Sequence, residues 1–145
     1  MIFIEATIKD IPQMQIVRNA VKENVLSNPD LVKDIDYIDY ITTRGKGWIC
    51  NVENTIVGFA ICDLVEDNIW ALFVHPNFDK RGIGKALHKL MMDWYFAQGK
   101  QMCWLSTAPN SRAEQFYKMQ GWVAVGNYGK GEIKFEITRQ IWTKS

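Results

Sequence analysis

HPNFDKRGIGKALHKLM, residues 75–91, places Gly82 and Gly84 one residue apart, among basic residues and directly ahead of an apolar-periodic run. Ile83, Leu87, Leu90, Met91 and Trp94 recur at helical spacing, and Gly99 can end the helix they mark. The glycines therefore stand at the mouth of a helix. A helix amino terminus leaves backbone N–H groups unpaired and carries partial positive charge. Both favour an anion, above all a phosphate. Glycine removes the side chains that would block close approach. Lys80, Arg81 and Lys85 add charge. The local chemistry points to a cradle for phosphate or pyrophosphate. The plainer alternative is a tight turn whose glycines serve backbone geometry alone.

Two phosphate motifs fail here. A Walker loop needs a glycine at position 79 and a hydroxyl residue at position 86, and Asp79 and Ala86 stand there. A dinucleotide fingerprint needs a small residue at position 87, where the chain has Leu87. It also needs the glycines directly after a strand, and HPNFDKR intervenes.

Outward from the glycine turn, the chain reads as alternating strands and helices. Phe3–Ile8 has strand character. Asp10 is placed to cap a helix with Pro12 in its first turn and Met14, Val17, Val21 and Val25 on its apolar face. Asn28 and Pro29 suit the start of a second helix, striped by Leu31, Ile35 and Ile38. Asp30, Asp34, Asp36 and Asp39 make that helix acidic: either a solvated face or a rim for a cationic substrate. Trp48–Glu53, Thr55–Val65 and Asn68–His75 follow as an antiparallel meander with turns at Asn54 and at Glu66-Asp67. After the glycine helix come a strand at Met102–Thr107 and a helix from about Ser111 to Gln120, signalled by the Ser111/Glu114 capping pair and ended by Gly121. Trp122–Val125 and Glu132–Trp142 close the chain as strands around GNYGKG. The class is α/β or α+β: a mixed sheet with helices.

Composition bounds the function. The chain has 145 residues, so one domain spanning 1–145 is expected. Seventeen Lys and Arg against sixteen Asp and Glu give a net charge of +1, no general argument for nucleic acid or a membrane surface. No basic region followed by a long apolar run opens the sequence, and no stretch reaches the roughly 18 apolar residues of a membrane span. Cys50, Cys62 and Cys103 are odd in number and lie in apolar runs, as buried thiols of a cytoplasmic protein would. His75 and His88 lie 13 residues apart with no second ligand pair at metal spacing. The expectation is no metal, with His75 at a strand end and His88 on a solvated helix face. Cys103 reads as a buried strand residue, not a nucleophile.

Two blocks together narrow the choice. LFVHPNFDKRGIGKALHKLM resembles the signature of the GNAT superfamily, the CoA-dependent N-acetyltransferases: an apolar strand ending in V-x-P, a glycine turn, then a helix. NSRAEQFYKMQGW, residues 110–122, is similar to the family's second block, N-x-x-A-x-x-[FLY]-Y-x-x-x-G-[FW]. The resemblance covers about Thr55 to Trp122. It implies a mostly antiparallel mixed sheet with helices on both faces and acetyl-CoA as co-substrate. The fourth strand would splay from the fifth, and main-chain groups near Phe73 and Val74 would pair with the pantetheine arm. Backbone amides from Arg81 through Gly82, Ile83 and Gly84 to Lys85, with Lys80 beside them, would take the pyrophosphate. Asn110 matches a CoA-contacting Asn, a position that also suits a helix cap. Tyr117 matches the Tyr that protonates the departing thiolate; its alternative is a core aromatic.

Two positions depart from the family pattern. Asp79 stands where Arg or Gln is usual. Asn68 stands where some members carry a Glu base, and Asn cannot be one. Glu66 and Asp67 lie just upstream; Glu66 is the candidate base, directly or through a water, and an amine that arrives neutral is the alternative. The resemblance further implies an amine acceptor among aminoglycosides, polyamines, amino acids, protein amino termini and lysine side chains. It also makes a homodimer an option, and a non-catalytic acyl-CoA-binding module is the runner-up.

Overall fold

The computed structural model describes residues 1–21 and 32–144. Strand β1 (Ile2–Glu5) leads through a short 3-10 turn to α1 (Ile11–Ala20). Helix α2 (Asp34–Asp39) runs into a π-helical turn at Tyr40–Arg44, and β2 (Gly45–Val52), β3 (Thr55–Asp63) and β4 (Asn68–Val74) follow. Then come α3 (Ile83–Ala97), β5 (Met102–Thr107), α4 (Arg112–Met119), β6 (Val123–Tyr128), β7 (Glu132–Thr138) and α5 (Arg139–Lys144). The strands form one seven-stranded sheet, ordered β1-β2-β3-β4-β5-β7-β6. Every neighbouring pair is antiparallel except β4 and β5.

Helices cover both faces. On one, Ile11, Met14 and Val17 of α1 and Tyr37 of α2 pack with Ile49, Phe59 and Ile61. On the other, α3 sends Ile83, Leu87, Met91, Met92 and Phe96 into a core shared with Tyr117, Trp122 and Phe135. Burying side chains of this size contributes roughly 1.5–3 kcal/mol each before entropy is counted. The two covering layers fix β4, in the middle of the sheet, from above and below.

Several sequence expectations change. The first strand stops at Glu5, because Thr7 and Asp10 close the 3-10 turn: the Asp10 carboxylate accepts from Thr7 N–H at 2.8 Å. Asp10 still occupies the cap position of α1, with Pro12 in the first turn. Val25, Asn28, Pro29, Asp30 and Leu31 lie outside the described residues. In α2 the buried residue is Tyr37, at 0% exposure, whereas Ile35 is 65% exposed. On α3, Leu90 points outward and His88 is the buried residue instead. The 3.6-residue period alone could not tell the two positions apart, since both border the apolar stripe. Trp142 belongs to α5, not to a last strand.

Candidate active site

Strand β4 is held differently at its two ends. At its start, Asn68 is in register with Trp104 of β5, the one parallel pairing the two strands make. Two bonds brace this junction: Trp104 N–H to Asp67 O at 3.0 Å and the Trp104 indole to Glu66 O at 2.8 Å. The register to β3 then shifts. Ile69 faces Cys62 and Ala71 faces Ile61, so Trp70 is an extra residue, a β-bulge. A bulge bends its strand and sharpens the twist. Beyond it β4 keeps its pairing with β3 through Phe73 and Val74 and has none with β5. The expected splay is present, and the bulge is its local cause.

The open end of β4 meets the glycine turn. Gly82 caps α3 with φ +80°, a conformation that costs an L side chain about 1–2 kcal/mol. No side chain caps the helix there, and its first backbone bond runs from Ala86 N–H to Gly82 O at 3.0 Å. The preceding amides of the first turn point out of the helix end. Gly84 stands between two elements: a Cβ there would lie 3.6 Å from Val74 Cγ2 and 3.7 Å from Phe116 Cε1. The end of β4, the start of α3 and the middle of α4 thus converge on one narrow gap. Lys80, Arg81 and Lys85 are exposed around it, and Ile83 is buried, so its contribution to the turn is its backbone. Arg81 lies over the Phe78 ring, 5.1 Å from its centroid. These residues fit a pyrophosphate: unblocked amides, the positive end of a fifteen-residue helix, and three lysine or arginine cations.

Asp79, the acid at odds with an anion site, is engaged. One oxygen accepts from Lys80 N–H at 3.0 Å, and the other takes the Arg112 guanidinium at the start of α4. The acid thereby ties the glycine turn to α4 with its charge compensated. Sequence reading missed Arg112; an acid beside a cationic turn was the signal that a partner had to exist.

Asn110 is exposed and sits at φ 59° just before α4. Its N–H donates to Glu114 Oε1 at 2.8 Å, while the cap itself is Ser111, whose Oγ accepts from Glu114 N–H at 3.1 Å. The backbone bond from Asn110 holds the Glu114 carboxyl below its ordinary pKa, with Lys118 helping. Tyr117 is 7% exposed, one residue from the Phe116 ring that faces Gly84. Its ring packs edge-on against Trp122, with centroids 5.6 Å apart. Burial, with a smaller push from Cys103, drives the Tyr117 phenol well above its ordinary pKa, so it keeps its proton at neutral pH.

His88 lies beneath this wall, wholly buried and ringed by Phe116, Tyr117, Trp122 and Trp142. The Trp122 indole donates to its Nε2 at 3.0 Å, which leaves the ring proton on Nδ1. Burial lowers its pKa to about 4, against a small opposing pull from Asp93. It is a neutral imidazole of the core, not a solvated residue. Burial likewise pushes the Cys62 thiol up to about 12 and raises Cys103 well above the usual range. Neither thiol is poised for nucleophilic work.

Glu66 is not brought to the glycine turn. It sits exposed in the turn before β4, at the closed junction. The length of β4, about 20 Å at ~3.3 Å per residue, separates it from Val74. Its neighbour Asp67 is paired with Lys100 at 2.6 Å. Among the described residues no group of three His, Cys, Asp or Glu could hold a metal. A cavity of about 650 Å³ lies on the outer face of α3 and shares only Lys85 with the predicted site.

Comparison with known proteins agrees with this fold. The PaiA N-acetyltransferase of Thermoplasma acidophilum, solved in complex with coenzyme A, superposes with a TM-score of 0.83 over 95% of this chain and 99% of that one, at 14% identity. The ribosomal-protein-S18-alanine N-acetyltransferase of Escherichia coli gives 0.77 over 94% and 92%, at 18% identity. Ard1 of Thermoplasma volcanium gives 0.77 over 94% and 96%, at 18% identity. No curated protein sequence matches the chain. Identities this low speak to the fold, a mixed sheet with the same layering. A sequence model of the acetyltransferase (GNAT) family matches residues 15–122, most of the chain, and the protein belongs to that family.

Proposed function

We propose that the protein moves an acetyl group from acetyl-CoA to a primary amine by direct attack within a ternary complex. The observation that carries this reading is the parting of β4 from β5 after the Trp70 bulge, opening onto the side-chain-free start of α3. β4 has no β5 partner here; since His75 N–H bonds Val57 O at 2.8 Å, the alternating ladder turns the main-chain groups of Phe73 to Phe59 and those of Val74 to the gap, free to pair with an extended arm, as with an added strand. The turn from Lys80 to Lys85 holds the pyrophosphate, and Asn110 borders it.

Acetyl-CoA supplies the thioester carbonyl. A backbone donor near Val74 stabilises the developing oxyanion. As the new C–N bond forms and the C–S bond breaks, Tyr117, held protonated by its burial, donates to the sulfur. The amine must lose a proton. Glu66, about 20 Å from Val74, reaches it only along a chain of waters, and Asp67 is occupied by Lys100; an amine that arrives neutral needs no base. Tyr117→Phe lowers kcat by about 100-fold, within the range typical of a general acid, while acetyl-CoA affinity stays within a few-fold. Unchanged turnover across pH would remove Tyr117 from that role.

The first test is calorimetric titration with acetyl-CoA, beside an Arg81→Glu/Gly84→Trp double variant, followed by thiol release from an amine library. Micromolar binding lost in the double variant, with turnover on some amine, supports transfer. Binding without turnover on any amine would make the chain a non-catalytic acyl-CoA binder. No binding would overturn both.

A further inference from the structure

On the face of β4 opposite α3, the bulge gathers cations and rings. Arg18, in the last turn of α1, places its guanidinium 4.9 Å from the centroids of both Trp70 and Phe73 and 5.6 Å from that of Tyr37. Tyr40 stacks on the Trp70 ring at 4.2 Å and 14°, and Arg44 lies over Tyr40 at 4.8 Å.

The two arginines differ in one respect. Arg44 grips the buried Asp63 with two bonds, 3.2 and 2.7 Å, so its charge is matched. Arg18 takes part in none of the ion pairs among the described residues. Asp36 on α2 acts on it through space but spends an oxygen on Lys33 N–H at 2.9 Å. Asp34 receives the Gln15 amide at 3.3 Å. Arg18 Nε is buried with no hydrogen-bond partner, and so is the hydroxyl of Tyr37, a residue with 0% exposure. A helix carboxy terminus favours a cation, which accounts for a basic residue there. It does not account for a guanidinium turned onto three rings beside a phenol with the same deficit. Buried donors without an acceptor are costly, and here they are adjacent. What is missing is an acceptor carrying negative charge.

We propose that Arg18, in the ring nest of Tyr37, Trp70 and Phe73, receives a carboxylate of the acceptor, so that the acceptor is an amino-acid-like amine and not a simple polyamine. This rests on the transferase reading above. The nest lies against the side chain of Phe73, whose main chain would border the pantetheine arm. An acceptor anchored there is therefore one side chain away from the strand along which the thioester lies. A guanidinium and a phenol are both donors, and a carboxylate has two oxygens to offer them. Of the acidic residues of α2, Asp34 and Asp36 are held by protein donors, which leaves the exposed Asp39 alone to favour a polycation.

The test uses matched amines that differ only in the carboxylate: L-lysine against cadaverine, L-phenylalanine against phenethylamine, L-leucine against isopentylamine. Thiol release with acetyl-CoA gives kcat and KM, and tryptophan fluorescence gives binding independently of transfer. The expected result is at least about a tenfold preference in kcat/KM or in affinity for one carboxylate member, expressed mainly in KM. In Arg18→Gln that preference collapses to about one. Tyr37→Phe, which removes only an unpartnered hydroxyl and so keeps the fold, reduces it a few-fold. Equal or better use and binding of the decarboxylated amines by the wild type would overturn the proposal, as would a preference surviving Arg18→Gln. Failure of acetyl-CoA to bind in calorimetry would instead strike the transferase reading, and the fluorescence titration would still decide whether Arg18 takes a carboxylate.

Discussion

The two ends of β4 are built on opposite principles. Its start is filled: Asn68 pairs with Trp104, the Trp104 indole and Lys100 bind the preceding turn, and Arg44 locks Asp63 across from Asn68. Its finish is emptied: Gly84 leaves space beside Val74 and Phe116, and the strand lacks a β5 neighbour. The filled end makes the sheet continuous; the emptied end leaves room for a ligand. A strand can do both only because the Trp70 bulge changes its direction between them. Stability and binding are thus divided along seven residues of one strand.

That division can be broken from either side. Arg44→Ala leaves the Asp63 carboxylate, 1% exposed, without its counter-ion and without two of its hydrogen bonds, and lowers stability. Denaturant unfolding should show a lower midpoint, while the remaining folded protein binds acetyl-CoA within a few-fold of the wild type. Gly84→Trp does the reverse. It fills the gap and weakens acetyl-CoA binding at least about a hundredfold, near 2.7 kcal/mol, with little change in unfolding midpoint. If both variants lose both properties, the two ends are not separable.

His88 sharpens the contrast, because it belongs to the core side of the open end. Its pKa, lowered to about 4 in the fold, lies below the unfolded value near 6.5. The unfolded chain therefore binds the extra proton first as pH falls. Stability is full above about pH 6.5 and declines through the window down to about pH 4, by about 2 kcal/mol between pH 8 and pH 5. His88→Gln should flatten that part of the unfolding-versus-pH curve. A slope unchanged by the substitution would place the titration elsewhere.

Much of this was legible in the sequence, and the gaps have physical causes. The glycine turn, the Ser111 cap and the order of strands are local: each depends on residues a few positions apart, and turn and cap chemistry act at that range. The splay of β4 was foreseen only through resemblance. Its cause, an extra residue at Trp70, is a matter of register between strands, and nothing local marks it. The His88 misreading is similar. A histidine on the margin of an apolar stripe becomes buried when another element supplies rings and a donor, and Trp122 is 34 positions away. The pairing of Asp79 with Arg112 spans 33 positions, so the acid looked like a defect until the fold supplied its partner.

The missing β5 neighbour has a consequence for exchange and assembly. In an antiparallel pair, amides point alternately toward and away from the partner. Past the bulge, those of β4 that face β3 are locked in the ladder, while those that face β5 open onto the gap. A single strand should therefore carry deuterium-exchange rates that alternate between slow and fast from one residue to the next. It is a sheet edge in the middle of a sheet. Edges recruit strands from other chains, and this one is shielded by the walls of α3 and α4 instead of by charge, so what it admits must be as thin as a single extended arm.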